Sequence, residues 1–379
     1  MALVWNEEQL MLREAAAGFL AEKASLAALR KLRDERSETG YDQEVWREMA
    51  EMGWAGIAIP EEFGGLDYGY AGLGIVLEQM GRNLSVSPLQ ATVLVAATAI
   101  ALGGSEAQKQ ALLPAIASGE LTLALALQEG AHHAPEKTAL TATANAGGYS
   151  LSGKKVLVQD AHIADKLIVV ARSAGKPGDA AGLSLFLVDA SSVGVRTERV
   201  IMLDSRNGGN VLLDNVQVGA ENLLGELDAG HDLLQQVLDI ANIGLSAELL
   251  GLSLEAYERT LEYLKERRQF GELIGSFQGL QHRAAELFAE LELAKSIVIR
   301  ALQAIDANDP QLSMLASACK AKLCEVAVRA TNESIQMHGG IGMTDEFDIG
   351  FFIKRARVAQ QTYGDYNYHL DRYARLNNY

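Results

Sequence analysis

TALTATANAGGYSLSGKKVLV, residues 138–158, alternates apolar and polar positions with a period of two and is broken by glycines. Helical spacing governs the sequence on both sides of it, so this stretch decides between an all-helical chain and one that carries a β layer. It has company. LIVVAR (167–172), LSLFLVD (183–189) and NVLLDNVQV (210–218) are short apolar or β-branched runs at regular spacing, with no helical pattern between them. With a turn placed at Ser152-Gly153, they predict a small antiparallel barrel or sandwich over residues 120–227.

Outward from that β region the period of 3.6 returns. In residues 1–119 it links Leu10, Ala17 and Leu20, then Val45, Met49 and Met52, with glycine-rich punctuation at PEEFGGLDYGYAGLG (60–74). Ser105 followed by Glu106 predicts a capped helix that ends near Leu113-Pro114. Residues 228–379 read as four long helices with breaks at 270–277, 308–310 and 338–342. The expected fold is therefore α+β: an N-terminal helical domain, a middle antiparallel β-barrel domain and a C-terminal four-helix bundle.

Composition narrows the function. Thirty-three Lys and Arg face forty-nine Asp and Glu in 379 residues, a formal net charge of -16, and such a field repels polyanions. Nucleic-acid binding is disfavoured. Cys319 and Cys324 lie five apart, a spacing that suits neither a metal site nor a disulfide framework. Acids and an arginine interrupt MALVWNEEQLMLREAAAGFL, where a signal peptide needs an apolar stretch, and the longest apolar run, residues 91–102, is short of a membrane span. The expected compartment is cytoplasmic, with no membrane and no nucleic-acid partner.

Two corners stand out from ordinary globular sequence. In ERRQFGELIGSFQGLQ (266–281), Gly271 and Gly275 end one helix, Ser276 is placed to cap the next, and Arg267 projects with Phe270 from the helix end. That pair suits a phosphate beside a flat ring; it also suits a helix-terminal cation with an aromatic plug. In ESIQMHGGIGMTDEF (333–347), Gln336 precedes Gly339, Gly340 and Gly342, which let a backbone approach a ligand or simply stop a helix. Signatures of nicotinamide-Rossmann, P-loop, hydrolase-elbow and zincin sites do not occur. His132-His133 points two ways and reads as a surface turn rather than a metal site.

The order helix, strand, helix, together with RRQFGELIGSFQGLQ, IQMHGGIG, LLDNVQVGAENLLG and GSEAQKQALLPAIASGE, resembles the acyl-CoA dehydrogenase family over essentially the whole chain. The resemblance implies α,β-desaturation of an acyl-CoA thioester, FAD held across a subunit interface, a homodimer or homotetramer, and electrons passed to an electron-transfer flavoprotein. It places the FAD pyrophosphate contacts on Arg267 with Phe270, on Gln278, and on Gln336 with Gly339 and Gly340. All of these residue types are kept.

Other positions depart from the family pattern. The family's catalytic carboxylate falls on Tyr363 in QQTYGDYNYHL or, in its second location, on Ala241. The nearest acids are Asp365 and Asp239. Asp365 is the candidate base, and its structural alternative is to cap the helix beginning near Tyr366. The segment that lines the flavin ring corresponds to LQEGAHHAPEK, with Gln128 and Gly130 at its Thr and Pro, and the ring-covering WIT motif corresponds to Leu157-Val158-Gln159. Two readings follow: an acyl-CoA dehydrogenase with a rebuilt ring pocket and base, or a subunit that completes the FAD site of a paralogous partner in a heterotetramer. A flavin-free scaffold is a third, of a different class. By the same resemblance, residues 90–102 line an acyl pocket, with Ala91, Ala96, Ala97 and Ala99 leaving room; close helix packing explains the same alanines.

Overall fold

The computed structural model describes residues 3–379. Its contacts group into two compact units, one of residues 3–35, 70–86 and 242–379, the other of residues 36–69 and 87–241.

The second unit is built on one eight-stranded sheet. Its strands are β1 (Leu123–Ala126), β2 (Thr141–Asn145), β3 (Gly148–Gln159), β4 (Lys166–Arg172), β5 (Leu183–Asp189), β6 (Val195–Ile201), β7 (Asn207–Gly219) and β8 (Leu223–Leu224). The order is β6-β7-β3-β2-β4-β5-β8, with β1 parallel to β4. The strands are mainly antiparallel as expected, but β6 and β8 end the path unpaired with each other, so the hydrogen bonding does not close into a barrel. β4 and β5 are almost continuously apolar because both faces are covered; Leu167, Ile168, Val169, Val170 and Ala171 are fully buried.

The hairpin turn lies earlier than expected. The β2–β3 hairpin turns at Ala146-Gly147, where Asn145 pairs with Gly148. Gly153 lies inside β3 at a register shift against β7, with φ +148°, and a Cβ there would stand 2.8 Å from Leu140 Cα. The turn expected at Ser152-Gly153 is thus a bulge within a longer strand.

Helices flank the sheet in the same unit. Asp42 caps α3 (Gln43–Glu51) by accepting from the amides of Glu44 and Val45. Residues Leu89–Ala97 form a wholly buried π-helix that runs into α5 (Thr98–Gly103), and Thr92 Oγ1 both donates to and accepts from the Leu123 backbone on β1. α6 (Glu106–Ala117) starts at Ser105 with a reciprocal Ser105–Gln108 capping box, but it continues through Pro114 instead of stopping there.

The first unit is helical: α1 (Glu7–Lys23), α2 (Leu26–Asp34), α4 (Gly69–Asn83), the later part of α7 (Gly230–Glu266), α8 (Gln278–Asp306), α9 (Leu312–His338), α10 (Ile349–Gln361) and α11 (Tyr366–Leu376). Three long helices and two shorter ones replace the four long helices expected. Leu20 and Met49 are buried as the spacing requires, whereas Leu10 and Met52 face solvent. α4 and α7 touch backbone to backbone: a Cβ on Gly251 would lie 1.8 Å from Glu78 O, and one on Gly81 2.1 Å from Glu248 O. One turn along, Arg355 of α10 donates Nε (2.9 Å) and Nη2 (2.6 Å) to the buried Glu248 carboxylate. α7 is long and apolar enough to cross a membrane by length and composition alone, but 94% of its most apolar window is buried inside the structure.

Candidate functional site

Arg267 follows the last residue of α7, and its amide still bonds Tyr263 O at 2.9 Å. The chain then makes a two-residue hairpin, β9 (Arg268–Gln269) against β10 (Glu272–Leu273), around Phe270-Gly271. Both tip residues have positive φ, +54° and +84°, as a type I′ turn demands. Phenylalanine is a costly choice there, and its ring is 91% exposed. A strained, exposed aromatic is an outlier that points to function.

Two links hold this corner to the glycine turn after α9. Ile274, Leu264 and Met337 form a small buried cluster, and Tyr263 stacks on His338 at 4.4 Å while its hydroxyl donates to His338 O. Gln278 opens α8, and Ser276, expected to cap that helix, instead donates to Leu273 O, leaving the N-cap to Phe277 without a side-chain bond. Gln336 sits in the last turn of α9. Gly339 has φ +67°, and a Cβ on Gly339, Gly340 or Gly279 would meet nothing within 4 Å, so backbone is open to approach at all three.

Arg267, Gln278 and Gln336 are exposed, and among the described residues their side chains have no hydrogen-bond partner. Unspent donors beside open backbone fit a pyrophosphate. The segment after the glycine turn is held from α2: Arg33 grips Asp345 in a bidentate pair (2.7 and 2.8 Å), and Arg30 reaches Asp345 and Asp348. The Arg33 guanidinium holds the Asp345 carboxyl well below the usual range, at about 2.

The turn between α10 and α11 carries Tyr363 at φ +57°. Asp365 caps α11 by accepting from Tyr368 N at 2.9 Å, the structural role foreseen for it. Lys320 of α9 is fully buried with Nζ on Thr362 O (2.6 Å) and Gly364 O (2.9 Å). Sequence reasoning passed over it. The available signal was a lysine between Cys319 and Ala321, on the apolar face of a helix.

In the second unit Gln128, Gln159 and Glu129 bond to groups of the chain itself. Gln128 Nε2 donates to Gly130 O (2.7 Å) and His132 O (2.8 Å), and Gln159 Nε2 donates to Gln90 Oε1 (3.0 Å). Glu129 accepts from the amides of Ala139 and Leu140 and from Lys155, whose buried ammonium also bonds Leu127 O. Burial pushes the Lys155 pKa down to about 8, against the pull of Glu129. Leu157, at the ring-covering position, has φ +51° on a second bulge of β3 and is half exposed. Asp239 and Ala241 are both buried in α7. Gln128 and Gln159 each turn Nε2 to an acceptor within the chain, so their donors fit a flavin ring less directly than the Arg267 face fits a pyrophosphate.

The sequence matches the acyl-CoA dehydrogenase N-terminal domain over residues 6–120, the middle domain over 127–216 and the C-terminal domain over 228–376. It is 30% identical over 362 residues to the probable acyl-CoA dehydrogenase YngJ of Bacillus subtilis, covering 94% of each chain. Butyryl-CoA dehydrogenase from Megasphaera elsdenii superposes with a TM-score of 0.92 at 25% identity over all of both chains. The steroid ACAD Tcur3481-Tcur3483 superposes with a TM-score of 0.87 at 32% identity over 98% of each chain. The chain therefore belongs to the acyl-CoA dehydrogenase family, flavoprotein oxidoreductases that act on CH–CH bonds.

Proposed function

We propose that the protein desaturates an acyl-CoA thioester between Cα and Cβ, with Arg267, Gln278, Gln336 and the Gly339-Gly340 backbone holding the FAD pyrophosphate and Asp365 taking the α-proton. The observation that carries this reading is the exposed face on which three unengaged polar side chains accompany open glycine backbone and the strained Phe270. FAD, when bound, supplies the acceptor for the β-hydrogen and its electron pair. An electron-transfer flavoprotein then takes the electrons. The thioester carbonyl, polarised by hydrogen bonds, acidifies the α-position enough for a carboxylate. Arg267 acts as a planar, permanently charged fork, a role lysine does not fill.

A second reading rests on Gln128 and Gln159, whose amides are bonded within the chain. In it, this protein offers its Arg267 face to FAD held by a paralogous dehydrogenase. One experiment separates the two. The purified chain is examined for flavin absorbance alone and after co-expression with paralogous dehydrogenases, and acyl-CoA is added without oxygen. Bleaching by the lone protein supports the first reading and removes the second. Bleaching that survives Asp365→Asn removes Asp365 as the base.

A further inference from the structure

The turn joining α10 to α11 is held more firmly than a helix connection requires. Three consecutive carbonyls, those of Thr362, Tyr363 and Gly364, all accept from side chains of surrounding helices: Lys320 Nζ of α9 bonds the first and third. The middle one accepts from Asn242 Nδ2 of α7 (3.3 Å) and His369 Nε2 of α11 (3.1 Å). Asn242, Lys320 and His369 are all buried. A helix end at the surface satisfies its last carbonyls with water or a glycine cap at little cost. Here a whole ammonium is buried instead, with no carboxylate among the described residues hydrogen-bonded to it, an arrangement that is expensive unless its geometry is needed. What the clamp holds is Tyr363 in the left-handed region and, after Gly364 at φ +108°, Asp365. Backbone strain survives only where its surroundings over-determine it.

We propose that Lys320, with Asn242 and His369, is a positioning residue of the proton-removal step: it fixes the strained turn so that the Asp365 carboxylate is presented at one place and angle. The proposal rests on the assignment of Asp365 as the base. Lys320 touches neither substrate nor flavin in this account; it acts by holding the turn and through the field its charge places on Asp365.

The test uses the flavin-loaded assembly, with its partner if one is needed, and Lys320→Met, which keeps length and removes charge. Flavin absorbance and the spectral shift on acyl-CoA binding are expected to stay as in the parent. Amide hydrogen exchange in the peptide spanning residues 360–368 is expected to rise, and both anaerobic bleaching and exchange of the acyl-CoA α-proton with deuterated solvent to fall about tenfold to a hundredfold, the cost of displacing a reacting group by an ångström. Arg372→Ala, which removes the α11 bonds to Ser317 Oγ and Ser313 O on α9, is the control for general destabilisation. If Lys320→Met lowers the melting temperature as Arg372→Ala does but leaves bleaching and α-proton exchange at the parent rate, the positioning role is wrong. Should Lys320→Met not fold, Asn242→Ser makes a smaller lesion at the Tyr363 carbonyl and is read in the same way. Asp365→Asn is run beside them. Full activity in Asp365→Asn with loss in Lys320→Met overturns the assignment of Asp365, and the reverse pattern overturns the clamp alone.

Discussion

Arg267 carries more of the cofactor argument than any other side chain, because it is charged, exposed and without a partner of its own among the described residues. Arg267→Ala is expected to weaken FAD binding by about 1.5–3 kcal/mol, the worth of a hydrogen bond to a charged group. Arg267→Lys should recover only part of that, and flavin release followed by fluorescence measures both. Asp345 makes a prediction in pH. Its folded pKa of about 2 lies below the ordinary value, so its contribution is present above about pH 4 and is lost as pH falls toward 2. The carboxylate is largely exposed, which holds the gain to about 1 kcal/mol or less. Urea unfolding between pH 2 and 5 should show this slope in the parent and a weaker one in Asp345→Asn. The buried Arg355–Glu248 pair is different in kind. Arg355→Met strands a carboxylate and should cost about 3–5 kcal/mol, while adding Glu248→Leu should return much of the loss.

Among the elements, the crossing of α4 and α7 tolerates no side chain at its closest point. Gly251→Ala would press a methyl into Glu78 O and should destabilise by about 3 kcal/mol or more, seen as a lowered melting temperature. No sequence pattern announced that contact, because a glycine inside a helix reads first as a weakness. Helix ends were legible where glycine, proline and asparagine cluster: α7 stops at Glu266, α8 at Asp306 and α9 at His338, next to the three breaks expected. Strands β1, β6 and β8 were not. β1 is four buried apolar residues, β8 is two residues long, and β6 reads VRTERVI with charges that hide its alternation. Gly153 reads as a turn in sequence because bulges and turns both favour glycine at positive φ. The face proposed for the cofactor draws on residues close in sequence, within two short corners, which is why a sequence pattern could suggest it. The Lys320 clamp was not, since its members come from α7, α9 and α11 and only the fold assembles them.

At the scale of the whole molecule, the family assignment and the distribution of spent and unspent polar groups bear on the same question. The helical unit offers donors that nothing in the described chain uses, whereas in the β unit Gln128, Gln159 and Glu129 bond to other groups of the chain. A chain built this way should gain stability from flavin through the Arg267 face, so added FAD should raise the melting temperature of the parent and raise that of Arg267→Ala less at the same concentration. The most direct test of the central claim is to mix flavin-loaded protein with a panel of acyl-CoA thioesters without oxygen and to follow the acyl group by mass spectrometry in a single turnover. The account predicts an enoyl-CoA two hydrogens lighter, formed in step with flavin bleaching and lost in Asp365→Asn. Flavin-loaded protein that leaves every thioester unchanged, alone and with paralogous dehydrogenases, would contradict it.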